Sequence, residues 1–214
     1  AEILVNHNLP FAEDDPYSAL RYSGDPVPSV LQFEADLRGS TTPEGCVMYC
    51  GTFSKILTPG LRIGWVAAAF PVIDKLVQVK QATDLHTSTL NQFISYEVAR
   101  DEAFVEQHVT MLRDVYRQRR DLMLQTMDEH FPQEVTWTRP EGGLFLMVTM
   151  PAHLDARDIL KQAIAHDVAF VPCDDFFITG GQNSFRLNYS NARPERIVEG
   201  IKRLGVVLKS ALKQ

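Results

Sequence analysis

Thr52-Phe53-Ser54-Lys55-Ile56-Leu57-Thr58-Pro59-Gly60-Leu61-Arg62-Ile63-Gly64-Trp65 is the stretch on which the reading of this chain turns. It follows an apolar run from Cys46 to Cys50 that reads as a short buried strand, and it leads into a second run of strand length, Arg62 to Phe70. The loop between them carries two hydroxyls, a lysine, a Pro-Gly turn and an arginine. An amine at the mouth of a strand is partly desolvated, which favours the neutral form that attacks a carbonyl. An arginine a few residues on offers a planar fork for a phosphate. By itself the pattern also fits an ordinary surface lysine in a connecting loop.

Working outward, Pro10 to Glu13 reads as a strand that delivers Asp14-Asp15-Pro16-Tyr17 at its carboxyl end, where open α/β sheets bind ligands. Pro16 biases Asp15 towards extended backbone, so Asp14 and Tyr17 project from a defined turn. The same residues also suit a plain polar turn.

The two motifs together resemble the fold-type I pyridoxal 5'-phosphate (PLP) enzymes of the aminotransferase class I/II family. The Pro-Gly-Leu-Arg after the lysine is similar to the 2-aminoadipate/kynurenine aminotransferase branch and its regulator-fused relatives. The resemblance implies that Lys55 is the Schiff-base lysine. It also implies that Arg62 and a hydroxyl from Thr52 or Ser54 hold the cofactor phosphate. Asp14, preferred over Asp15 because it stands three residues before Tyr17, would keep the ring nitrogen protonated, and Tyr17 would hydrogen-bond the ring 3-oxygen.

Composition is compatible with that family. The 214 residues are 45% hydrophobic with a net charge of −6, enough apolar content for one or two domains, and no basic cluster invites nucleic acid. No apolar run is long enough to span a membrane, and Ala1 to Asn8 lacks the basic and apolar regions of a signal peptide. Cys46, Cys50 and Cys173 read as cytoplasmic free thiols rather than a disulfide framework or a metal site.

The remaining elements follow from punctuation and periodicity. Residues 1–9 read as the last turns of a helix, and 18–45, with Gly24, Pro26, Pro28, Gly39, Pro43 and Gly45, as a surface loop. Pro71 opens a helix, and His86-Thr87-Ser88 leads into another. Residues 102–131 form a long helix, in which Arg117, Arg119, Arg120 and Asp121 read as a solvated face. Strands at 135–138, 144–148, 168–171 and 185–189, with helices at 156–165 and 194–212, make the last part α+β. The expected organisation is residues 1–115 as the C-terminal part of a PLP-binding large domain and 116–214 as a small domain. The resulting fold class is α/β, with a partial large-domain sheet.

Arg186 lies between Phe185 and Leu187, so it is expected to be buried and to need an anion, or a partner such as Asp174 or Asp175. The resemblance makes it the clamp for the substrate α-carboxylate. The glycine-rich phosphate loop, ring-stacking aromatic and asparagine of the family have no counterpart before Asp14. A fragment of a longer gene product is therefore expected. The implied activity is transfer of an amino group from an L-amino acid to a 2-oxo acid such as 2-oxoglutarate, in a homodimer. A PLP-sensing effector domain of a transcriptional regulator and another PLP reaction, a lyase or decarboxylase, are the alternatives.

Overall fold

A computed structural model describes residues 1–213. Helix α1 (Glu2–His7) closes on Asn8 in the left-handed region, and strand β1 (Phe11–Asp14) follows. The segment expected to be a loop contains helix α2 (Val30–Arg38). Its start is capped by Ser29, which accepts the N–H of Gln32, and by Glu13, which accepts the N–H of Val30. Gly39 at φ 62° ends it. Periodicity does not reveal this helix because its one buried residue is an acid, Glu34.

The Glu34 carboxylate binds the start of strand β2 (Val47–Thr52) by accepting the N–H groups of Cys46 at 2.9 Å and Val47 at 3.2 Å. A Cβ on Gly45 would stand about 2 Å from that carboxylate, so any other residue there would force Glu34 to move. Burial works against the Glu34 charge. The donors from Cys46 and Val47, with Arg38 nearby, outweigh it and hold the carboxyl below its ordinary value. Burial first, and then Glu34, push the Cys46 thiol up.

Strands β1 and β2 are parallel, and β3 (Gly64–Ala67) pairs antiparallel to β2, giving the order β1-β2-β3. The strand expected at 62–70 is thus shorter, and β2 is fully buried only at Val47 because this sheet leaves much of its surface open. Helices α3 (Phe70–Thr83) and α4 (Thr89–Ala99) follow; α3 has no buried residue and α4 only Ser95.

Helix α5 (Glu102–His130) contains the division between two compact units, residues 1–112 and 113–214. In the second, β4 (Thr136–Trp137), β5 (Phe145–Thr149), β6 (Val171–Pro172) and β7 (Ser184–Asn188) form an antiparallel sheet of order β4-β5-β7-β6. Alternation buries Leu146 and Val148 of β5 and Phe185 and Leu187 of β7. Helix α6 (Ala156–Ile164) contributes Ala156, Ile159 and Ala163, and α7 (Pro194–Ala211) contributes Ile197, Ile201, Leu204 and Leu208, at helical spacing. Gly205 lets α7 approach the end of α5, since a Cβ there would lie 2.7 Å from the His130 carbonyl. Arg119 and Arg120 are not merely solvated: they donate to the carbonyls of Ser190 and Pro140, which ties α5 to two loops of this unit.

Candidate active site

The parallel pairing of β1 and β2 brings their carboxyl ends, Asp14 and Thr52, to one end of the first sheet. β3 begins at Gly64 opposite Thr52, so Arg62 lies at that end as well. The chain from Phe53 to Leu57 makes one helical turn, with Leu57 and Thr58 donating to the Phe53 carbonyl. Phe53, Ile56 and Leu57 face Ala99, Phe104, Val105 and His108 around a small apolar gap. With its apolar neighbours turned to that gap, half-buried Lys55 reaches the Tyr17 ring, its Nζ 5.7 Å from the ring centre. No carboxylate pairs with Lys55 among the described residues.

Thr52 and Ser54 differ in availability. The Thr52 hydroxyl donates to the Ile63 carbonyl at 2.9 Å and accepts the Ser54 N–H at 3.1 Å. Its proton is used inside the loop, and the Ser54 hydroxyl, 3.1 Å away, keeps one to give. Arg62 has φ 55°, in the left-handed region, and among the described residues its exposed guanidinium hydrogen-bonds only to the Pro59 carbonyl of its own turn. Asn91 of α4 donates to the Leu61 carbonyl at 3.1 Å and pins the far side of the loop.

The adjacent acids also separate. Asp15 accepts the N–H groups of Tyr17 and Ser18 and the Tyr49 hydroxyl. Burial opposes its charge, but these bonds prevail and hold its carboxyl below the ordinary range. Asp14 is exposed at the end of β1 and has no such bond among the described residues. Tyr49 and Asn91 are contributors that the sequence did not flag; their partners are separated from them by 34 and 30 residues, so no local pattern connects them. His86, by contrast, meets the neighbouring Thr87 carbonyl, and Ser88 caps α4.

In the second unit, Arg186 is not buried beside Phe185 and Leu187 as expected. Strand alternation turns it to the other face, where its guanidinium carbon lies 4.1 Å from the centre of the Phe145 ring and 5.4 Å from that of Phe176. Nor does it pair with Asp174 or Asp175, which are both bound by Arg157 at 2.6 and 2.9 Å. Its Nε is buried without a hydrogen-bond partner among the described residues. A cleft of about 470 Å³ opens beside it, bordered also by Phe145, Asn188 and Arg196.

The family model for aminotransferase class I and II matches residues 1–204. The chain belongs to this family. Among curated aminotransferases, the aromatic-amino-acid aminotransferase 1 of Thermococcus litoralis is 40% identical over 214 residues, covering the whole chain and 49% of that protein. A solved α-aminoadipate aminotransferase of Thermus thermophilus, complexed with N-(5'-phosphopyridoxyl)-L-leucine, aligns with a TM-score of 0.92 at 38% identity. That alignment covers 99% of the chain and 53% of the solved one. A helix-turn-helix regulator of Bacillus subtilis, YdfD, is 30% identical over 204 residues, 95% of this chain and 40% of the regulator. The aminotransferase fold is of type I, present here in part, and the chain spans about half the length of the curated relatives it matches. No described helix is long and apolar enough to cross a membrane.

Proposed function

We propose that this chain carries the Schiff-base lysine and most of the cofactor contacts of a PLP-dependent aminotransferase acting on an L-amino acid and a 2-oxo acid. The observation that supports it best is an amine without a carboxylate partner, Lys55, resting on Tyr17 at the sheet end that also holds Asp14, Ser54 and Arg62. The donor set suits PLP: an amine for its aldehyde, a hydroxyl and a guanidinium for its phosphate, and an uncommitted carboxylate for its ring nitrogen. When bound, PLP supplies a conjugated ring that takes up the electron pair left at a substrate Cα.

The residues of this chain would do the rest. Lys55 Nζ would hold the aldehyde carbon of the cofactor and, as a free amine, would take up the proton leaving the substrate Cα. The Asp14 carboxylate keeps a proton on the ring nitrogen, and the Tyr17 hydroxyl bonds the 3-oxygen. Ser54, supported by Thr52, and Arg62 hold the phosphate. Arg186 grips the substrate α-carboxylate, for which its unpartnered Nε is suited.

On this reading residues 1–115 are part of the cofactor domain and 116–214 the small domain. The exposed Phe70, Leu90 and Phe93 of α3 and α4 suit burial against another polypeptide, as in a homodimer. The free thiols of Cys46, Cys50 and Cys173 suit the cytoplasm. The test is to add PLP, reduce with borohydride and map the modified lysine by mass spectrometry, then to follow glutamate formed from amino acids and 2-oxoglutarate. Selective modification of Lys55 is expected; an adduct spread over the surface lysines overturns the reading. Selective modification without any transamination would instead favour a PLP-sensing effector role, the reading suggested by the regulator relative.

A further inference from the structure

The two adjacent acids of the Asp-Asp-Pro turn have different jobs. Asp15 extends the parallel ladder through its own N–H, which donates to the Cys50 carbonyl at 2.9 Å. Its Oδ1 folds back to accept the Ser18 N–H at 2.8 Å and the Tyr17 N–H at 3.2 Å. Its Oδ2 takes the Tyr49 hydroxyl at 2.5 Å. The Tyr49 ring leans on Trp65, the ring centres 5.4 Å apart, so the anchorage crosses all three strands of the sheet. A carboxylate engaged on both oxygens cannot turn to a ligand without giving up these bonds. What it immobilises is the backbone of Tyr17, whose ring lies under Lys55.

We propose that Asp15 is a positioning residue: tied to Tyr49, its carboxylate fixes Tyr17 against Lys55 and leaves Asp14 as the acid free to meet a ligand. The role matters for catalysis only if the cofactor reading above holds, but the contact itself is tested without cofactor. Lysines of the full chain are labelled with formaldehyde and cyanoborohydride at one pH, and methylation of Lys55 is measured by mass spectrometry relative to exposed Lys75.

Loss of the ring over an ammonium is worth about a two- to five-fold rise in amine reactivity. Tyr17→Leu and Asp15→Ala are each expected to produce it. Asp15→Asn keeps an oxygen for the two amides and offers an amide N–H to the Tyr49 oxygen in place of the bond it loses, and is expected to restore the slow rate. In the Tyr17→Leu background, Asp15→Ala is expected to add nothing, because residues acting through one contact are not additive. A full additional rise there, or no rise from Asp15→Ala alone, overturns the proposal. If Asp15→Ala does not fold by circular dichroism, Tyr49→Phe removes only the phenol; a Lys55 rate unchanged from the parent chain then overturns it. A parallel labelling with PLP and borohydride separates the two readings. An unselective PLP adduct together with the expected methylation pattern sinks the cofactor assignment and leaves the Asp15 anchor standing.

Discussion

The guanidinium carbon of Arg186 lies 4.1 Å from the centre of the Phe145 ring, while its buried Nε finds no hydrogen-bond acceptor among the described residues. Cross-strand neighbours make this possible: Arg186 pairs with Met147, two residues beyond Phe145 on β5. An arginine held by stacking rather than by an acid should be dispensable for stability. Arg186→Met is therefore expected to leave the thermal midpoint unchanged or raised, since a partly buried charge without a partner gives way to an apolar side chain. The same variant should lose amino-acid binding about ten-fold or more in KM or ligand titration, through loss of the carboxylate fork. A loss of several kcal/mol in urea unfolding would show instead that a structural ion pair had been broken.

Glu34 makes stability depend on pH. Its folded carboxyl titrates below the ordinary value of 4.5, so its contribution is fully present above that value and is lost as pH falls through the folded one. Glu34→Gln is expected to cost about 1–3 kcal/mol at pH 7, from weakened acceptance of two backbone N–H groups. The gap to the parent chain should shrink in chemical denaturation as the pH is lowered through the folded value. The opposite sign applies to Tyr49, whose phenol is pushed up by burial and by Asp15. Its contribution is present below its ordinary value of 10.0 and is lost only as pH rises through the raised one.

Gly45→Ala should reproduce the Glu34 defect without touching the acid. The new Cβ would occupy the carboxylate's place, and Glu34 would have to leave Cys46 and Val47. The Cys46 thiol, raised in pKa by burial and by Glu34 in the parent chain, should then react faster with iodoacetamide. Equal alkylation rates in the two proteins would count against the clamp.

Arg62→Gly tests the proposed phosphate contact apart from stability. Glycine accepts φ 55° freely, and the left-handed strain of about 1–2 kcal/mol is relieved at an entropic cost of similar size. Unfolding midpoints should match within about 1 kcal/mol, while PLP retention on dialysis should fall by about ten-fold or more through loss of the phosphate fork.

Gly205→Ala tests the second unit alone. Its Cβ would meet the His130 carbonyl at 2.7 Å, and backbone at the end of α5 cannot move aside as cheaply as a side chain. A loss of about 1–3 kcal/mol is expected in urea unfolding, as for other overpacked contacts.

The lysine loop, the Asp14–Tyr17 spacing, the helices at 156–165 and 194–212 and the positions of most strands were legible in the chain itself. Each rests on local chemistry, in Pro and Gly punctuation or in apolar spacing at two or at three to four residues. Helix α2 was not legible, because the helical period is read from apolar residues and its buried position is Glu34. The face of Arg186 was hidden for a related reason: its neighbours in sequence, Phe185 and Leu187, lie across the sheet from it once the strand is pleated.

The sequence by itself determined the family and which candidate groups the chain offers, since a carboxylate, an amine and a guanidinium in this order, Asp14, Lys55 and Arg62, are chemistry written residue by residue. Only the tertiary structure decided which of two adjacent acids is free and which of two hydroxyls has a proton to give. Those outcomes depend on distant partners, Tyr49 for Asp15 and Ile63 for Thr52, which the parallel and antiparallel pairings of β2 alone bring within hydrogen-bond reach.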